Sequence, residues 1–179
     1  MKTNLLIALL VLNISSVIAQ NVQLGFRIEP AVLISERENL FTPISFYATI
    51  SYKPINFLNI ELRPGFLYAG EEYAGYEIGA FAKLRIMPTN FFIAVGLNNH
   101  SNAVFGRNGS GNYEKSILYK GFGFGFQSNE KLSFDIMYYF SSNNAYAYTL
   151  SYDGSVLKYN DVKMVGILKF GFSLGWDVF

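Results

Sequence analysis

The chain contains no cysteine, one histidine, one tryptophan and five prolines. Without thiols, disulfide stapling and lipid attachment through an N-terminal cysteine are both excluded. A lone histidine leaves little for a metal centre built on imidazoles, and no metal-ligand cluster or cofactor motif is expected. An excess of charge of one sign is missing too. The 14 basic residues include Lys2 of the expected leader, and the 13 that remain face 13 acidic ones. No such balance points to nucleic acid or to an anionic surface. Nor does any run of about 20 apolar residues occur, which excludes a helical membrane span.

What is present pulls the other way. Of 179 residues, 51% are hydrophobic and 17% aromatic, with 17 Phe and 13 Tyr. A chain this apolar without a spanning helix can still satisfy a bilayer through strands closed into a barrel. The last stretch, 164–178, reads that way. From Leu168 onward, large apolar residues (Leu168, Phe170, Phe172, Leu174, Trp176, Val178) alternate with Lys169, Gly171, Ser173, Gly175 and Asp177. A period of two is converted into two faces only by a β-strand.

The N-terminus predicts a signal peptide over 1–19. Lys2 supplies its charge, Leu5 to Leu12 its apolar region, and Val17-Ile18-Ala19 a small-residue cleavage site. The barrel domain is then expected over 20–179. Alternation places strands at 22–28, 44–52, 57–68, 76–86, 91–98, 117–127, 132–140 and 164–178, with a bulge or kink at Pro64. Short turns fall at 53–56, 87–90 and 128–130, and longer polar loops at 35–43, 70–74, 99–115 and 141–162. The last loop carries an Asp153-Gly154 hairpin turn between strands at 148–152 and 156–159, which protrude beyond the membrane. The predicted fold is all-β: an antiparallel up-and-down transmembrane β-barrel of about eight strands, turns on the periplasmic side and loops outside.

On this reading Arg27, Arg63, Lys83, Arg85, Lys131 and Lys169 point inward, with Glu29, Glu61, Glu77, Asp135 and Asp177. An interior of about eight strands is just wide enough for side chains to fill. Opposite charges in such a space pair with one another, which favours a plugged lumen over an open pore. Inward glycines, among them Gly79, Gly96, Gly123 and Gly171, leave room for long side chains.

Tyr76-Glu77-Ile78-Gly79-Ala80-Phe81-Ala82-Lys83 resembles the Tyr-x-Glu-Ile-Pro-x-x-x-Lys strand of small outer-membrane β-barrel domain proteins of the Bacteroidetes. Here Glu77 directly follows Tyr76, and Gly79 stands where Pro is usual. The resemblance implies a barrel of the OmpX and OmpA architecture in the outer membrane of a Gram-negative bacterium. It implies outer-membrane lipid and the barrel assembly machinery as partners. Asn99-His100-Ser101-Asn102, followed by Glu114, looks like the His-x-Ser-Asn motif of the lipid A 3-O-deacylases. That likeness implies Ser101 as nucleophile, His100 as base and Glu114 as its orienting carboxylate. Adjacent residues on a strand point to opposite faces, however, so the pair needs a bulge to meet.

The main expectation is a structural or surface-interaction barrel, binding extracellular protein or glycan through the Asn-, Ser- and Tyr-rich loops 98–116 and 141–162. A lipid A deacylase-like hydrolase is the alternative, and a small-solute channel the third. Sequencing the exported protein from its N-terminus should find Gln20 first. Met1 retained on a cytoplasmic protein would contradict the architecture at its root.

Overall fold

The computed structural model describes residues 22–103, 106–107, 110–129 and 131–178. The expected signal peptide and its cleavage site lie outside them, as does Phe179. The elements are β1 (Val22–Ile28), β2 (Ala31–Ser35), β3 (Asn39–Thr42), β4 (Ile44–Ile55), β5 (Leu58–Tyr68), β6 (Ala74–Arg85) and β7 (Phe91–Asn102). They continue as β8 (Gly106–Arg107), β9 (Ser110–Asn112), β10 (Ser116–Gln127), β11 (Leu132–Phe140), β12 (Ala145–Asp153) and β13 (Val156–Asp177). All strand pairings among the described residues are antiparallel. The ladder runs β1–β4–β5–β6–β7–β10–β11–β13, and β13 pairs back onto β1 from Gln23↔Asp177 to Ile28↔Phe172. The ring is therefore closed, and a closed ring has no free edge.

Among the described residues, thirteen strands stand where about eight were expected, and the surplus is local. The first stave is interrupted at Glu29-Pro30 and resumes as β2, which stays on β13 from Ala31↔Lys169 upward. Pro30 lacks the N–H a ladder uses, but its carbonyl accepts from the Phe170 amide at 2.9 Å. The polar stretch 35–43 is not all loop, because β3 folds back on β2. The stretch 141–162 carries the expected hairpin about Asp153-Gly154, with longer arms than 148–152 and 156–159. β12 pairs with the upper part of β13, and β9 with β12. β13 is consequently 22 residues long, running unbroken from that hairpin to the closing seam. Strand five also extends past Asn98 to Asn102.

Pro64 produces no bulge. Tyr47↔Gly65 and Ile50↔Leu62 share one register, and the shift in this ladder lies at Tyr52/Ile55 instead. The pairs next to the proline fall out of the β4 ladder, while on the other side Pro64↔Ile78 is kept. In β13 the phase changes between Met164 and Gly166, so Met164 is fully buried rather than continuing the outward row.

Polarity is distributed inside out. Tyr76, Ile78 and Phe124 are 73%, 64% and 61% exposed, and their outward neighbours include Leu24, Ile60, Val95, Phe122 and Phe170. Arg27, Glu29, Arg63, Glu77, Asp135 and Lys169 are buried. A soluble barrel carries its apolar set inside, the opposite of this arrangement. Hydrocarbon around the barrel removes the penalty on the apolar surface and leaves the charges to pair within. Phe124→Arg should accordingly destabilise the protein folded in lipid vesicles by about 2–4 kcal/mol, whereas Phe124→Leu should leave it nearly unchanged. Urea midpoints by gel shift report both; a tolerated arginine would show that this face does not meet lipid.

Candidate functional site

The interior is arranged in three levels. At the end of the short turns a vestibule of about 630 Å³ is lined by Lys53, Asn56, Asn59, Arg85, Asn90 and Asp177, among others. A chamber of about 30 Å³ continues it inward between Ser51, Glu61, Lys83 and Ser173. That is room for about one water molecule. Charged side chains close the next level. At the loop end, Leu33, Leu67, Tyr73, Ile117, Tyr146 and Met164 form a buried apolar cap.

The charged level is one connected network. Arg27 donates from Nε to Glu29, from Nη2 to Asp135, and from Nη1 to Ser173 Oγ at 2.6 Å. Arg63 reaches Glu61 at 2.5 Å and Glu29 at 3.1 Å, and its guanidinium lies 4.0 Å from the Phe81 ring centroid. Lys83 closes the lower edge on Glu61 at 2.7 Å. Toward the cap, Lys169 donates to Glu77 at 2.5 Å and to the Tyr47 hydroxyl at 2.7 Å. Tyr47 in turn donates to Glu77 at 2.5 Å. Buried charges persist only when partnered, since each carries a desolvation penalty of several kcal/mol; Arg63 Nη2 and Asp135 Oδ2, 3.7 Å apart, face each other without a hydrogen bond.

Glycine makes the space. A Cβ on Gly171 would sit 1.6 Å from Arg27 Nη2, and one on Gly79 or Gly96 about 2.3–2.4 Å from the Phe81 ring. Arginine on β1 and glycine on β13 are thus one fitted unit across the seam.

Eight of the eleven charges expected in the lumen come together: Arg27, Glu29, Glu61, Arg63, Glu77, Lys83, Asp135 and Lys169. Three do not, because they lie at or beyond the strand ends at the mouth. Arg85 is exposed and bonded to Thr89 and Asn90, and Asp177 accepts from Gln23 Nε2 at 2.6 Å. Lys131 is likewise exposed at the turn end.

His100 joins the network rather than a catalytic triad. It is fully buried, its Nδ1 lies 3.1 Å from Glu77 Oε1 and its Nε2 3.3 Å from Asn102 Oδ1, and its ring stacks on Tyr73 at 4.2 Å. Ser101 is exposed on the other face of β7, 3.3 Å from Ser116 Oγ, and Glu114 is exposed beyond it. No bulge interrupts β7 here: Glu77↔His100 and Tyr76↔Ser101 are consecutive pairs. The three residues that a Ser-His-Glu mechanism needs are therefore not brought together. Continuing the alternation of Phe92, Ala94, Gly96 and Asn98 would have placed His100 and Asn102 inward. The partnership of Tyr47 with Glu77 had no signal beyond its inward phase.

Outside the barrel, the β12–β13 hairpin is amphipathic. Tyr148, Leu150 and Tyr152 oppose Asp161, Tyr159 and Leu157 on one face. Ser151–Asn160 and Asp153–Lys158 contacts occupy the other. Tyr113 donates to Asp161 at 2.6 Å, and that bond holds its phenol up at about 12, so it stays protonated.

The fold is that of the small outer-membrane β-barrel proteins. The likeness is to Neisserial surface protein A, at a TM-score of 0.54 and 17% identity over 87% of this chain and 96% of that one. The N-terminal β-barrel domain of Pseudomonas aeruginosa OprF matches at 0.44 and 14%, over 87% of this chain and 98% of that one. The outer membrane protein OprG of the same organism matches at 0.43 and 13%, over 88% and 97%. No family model matches the chain, and no curated protein matches it.

Glu77→Gln leaves Lys169 and His100 without their shared anion and should cost about 3–5 kcal/mol. Gly171→Ala should destabilise as well, by displacing the Arg27 guanidinium. Urea unfolding in vesicles measures each; a loss under about 1 kcal/mol for Glu77→Gln would show that the network does not hold the barrel.

Proposed function

We propose that the chain is an eight-stranded transmembrane barrel of the outer membrane of a Gram-negative bacterium, exported by a signal peptide over 1–19 and cleaved before Gln20. Its lumen is plugged, and its role is structural or surface-interacting, exercised through the 98–116 and 141–162 regions. One observation carries this reading: charges from Arg27 to Lys169 are buried and paired inside a ring whose outer surface is aromatic and aliphatic. Outer-membrane lipid and the barrel assembly machinery are its obligatory partners, and an extracellular protein or glycan is the partner of the loops. The resemblance of the Tyr76 to Lys83 stretch supports a Bacteroidetes-type barrel domain within this reading.

The native chain has no cysteine, so single thiols report topology cleanly. Ser155→Cys, in the turn between β12 and β13, should react with a membrane-impermeant maleimide on intact cells. Asn56→Cys, in a short turn, should react only after the outer membrane is opened. The reverse pattern would invert the proposed orientation. In planar bilayers the purified protein should give no conductance steps, which separates a plugged barrel from the channel alternative. Expression should also leave the mass of host lipid A unchanged. Loss of an ester-linked acyl chain that Ser101→Ala abolishes would restore the hydrolase.

A further inference from the structure

The amphipathic hairpin has an outer face whose occupant the topology identifies. Along β13, Val165, Phe170 and Trp176 are exposed on the outside of the ring, while Val162, Met164, Ile167 and Lys169 are buried within. Above the Met164/Gly166 shift, the alternation keeps Lys163, Asp161, Tyr159 and Leu157 on the outer side with Val165. Tyr148 and Tyr152 join that side through their pairing with Asp161 and Leu157. The aromatic face is thus a continuation of the lipid-facing surface, not a separate patch.

Depth sets what lies against it. The stretch from Val165 to Trp176 is just longer than the roughly nine to eleven residues that cross a bilayer, so Val165 marks its upper edge. Six further residues on a tilted strand place Tyr159 about 15 Å beyond the hydrocarbon edge. Acyl chains end below that level, and so does the ordinary headgroup layer, about 5–8 Å deep on each side; only an extended saccharide headgroup reaches it. A row of tyrosines crosses the sheet there. Tyr159 and Tyr148 have ring centroids 5.3 Å apart, as do Tyr148 and Tyr113, and Lys115 Nζ lies 5.6 Å from the Tyr113 centroid. Lys163 is exposed on the same side. Amphipathic rings offer apolar faces beside hydroxyls, which suits sugar rings, and two lysines supply cations for phosphate.

We infer that this face binds the phosphorylated saccharide headgroup of a glycolipid in the surrounding outer leaflet. Tyr113, Tyr148 and Tyr159 contact the sugars, and Lys115 and Lys163 contact the phosphates. The lipid stays anchored beside β13, and the hairpin is its splint. The inference rests on the proposed orientation, with the hairpin at the cell surface.

Native mass spectrometry of the detergent-purified protein provides the test. Lipopolysaccharide with its core saccharide, lipid A without it, and the free core oligosaccharide are offered at equal concentration. The wild type should retain the core-bearing lipopolysaccharide at least fivefold over lipid A. Tyr159→Ser, at an exposed position, should abolish that preference, and Lys115→Ala with Lys163→Ala should weaken binding of both lipids. Lys158→Ala, on the opposite face, should change nothing. Each variant is first checked for the wild-type gel shift in phosphatidylcholine vesicles, so loss of folding is told apart from loss of binding. Equal retention of the two lipids, an unaltered preference in Tyr159→Ser, or equally strong retention of the free oligosaccharide would overturn the inference. Maleimide labelling of Ser155→Cys separates the two readings: a labelled hairpin without lipid preference defeats this inference alone, and an unlabelled one defeats the orientation with it.

Discussion

Closure of β13 onto β1 is the constraint on which the rest depends. An apolar outer surface is tolerable only where no strand edge is left with open N–H and C=O groups. The seam from Gln23↔Asp177 to Ile28↔Phe172 removes that edge. The interior follows from it. Once the ring is closed and its exterior is given over to Phe, Leu and Ile, every polar side chain inside has to find a partner inside. The Arg27–Glu29–Asp135 and Lys169–Glu77–Tyr47 clusters are that solution.

The same closure explains why glycine and arginine occur together. Arg27 on β1 lies over Gly171 on β13, so one of the two guanidiniums in the network occupies the space of a missing side chain across the seam. Phe81 similarly fills the room left by Gly79 and Gly96, and Arg63 rests on its ring. Strand pairing at the seam and ion pairing in the lumen are one structure, because residues on both sides of the closing ladder hold the guanidinium.

The alternation made the barrel staves legible, since a period of two survives wherever one face meets a uniform medium. Phe122, Phe124 and Phe126 against Gly121, Gly123 and Gly125 leave a single assignment. It became illegible where the medium changes. Above the belt neither face meets hydrocarbon, so only the short arms 148–152 and 156–159 about Asp153-Gly154 were legible, not the full length of β12 and of the upper part of β13. His100 was misjudged for a related reason. A polar run of Asn99, His100, Ser101 and Asn102 reads as loop, yet its even members face a polar lumen and its odd members the upper rim. Arg85 and Asp177 had the correct phase but the wrong height, and phase alone carries no height. Partner choice inside the network depends on stagger between distant strands, which no local pattern contains.

The length of β13 has a mechanical consequence. One uninterrupted strand is both the outer arm of the surface hairpin and the strand that closes the ring, held by β1, β2, β11 and β12 in turn. A pull on the hairpin along the strand direction is not delivered to one hydrogen bond at a time, as peeling would be. It loads the ladders on both flanks of β13 together, in shear, and the Lys169 and Gly171 contacts resist with them. Whatever grips the tip is tethered through the backbone to the most cross-braced line in the molecule.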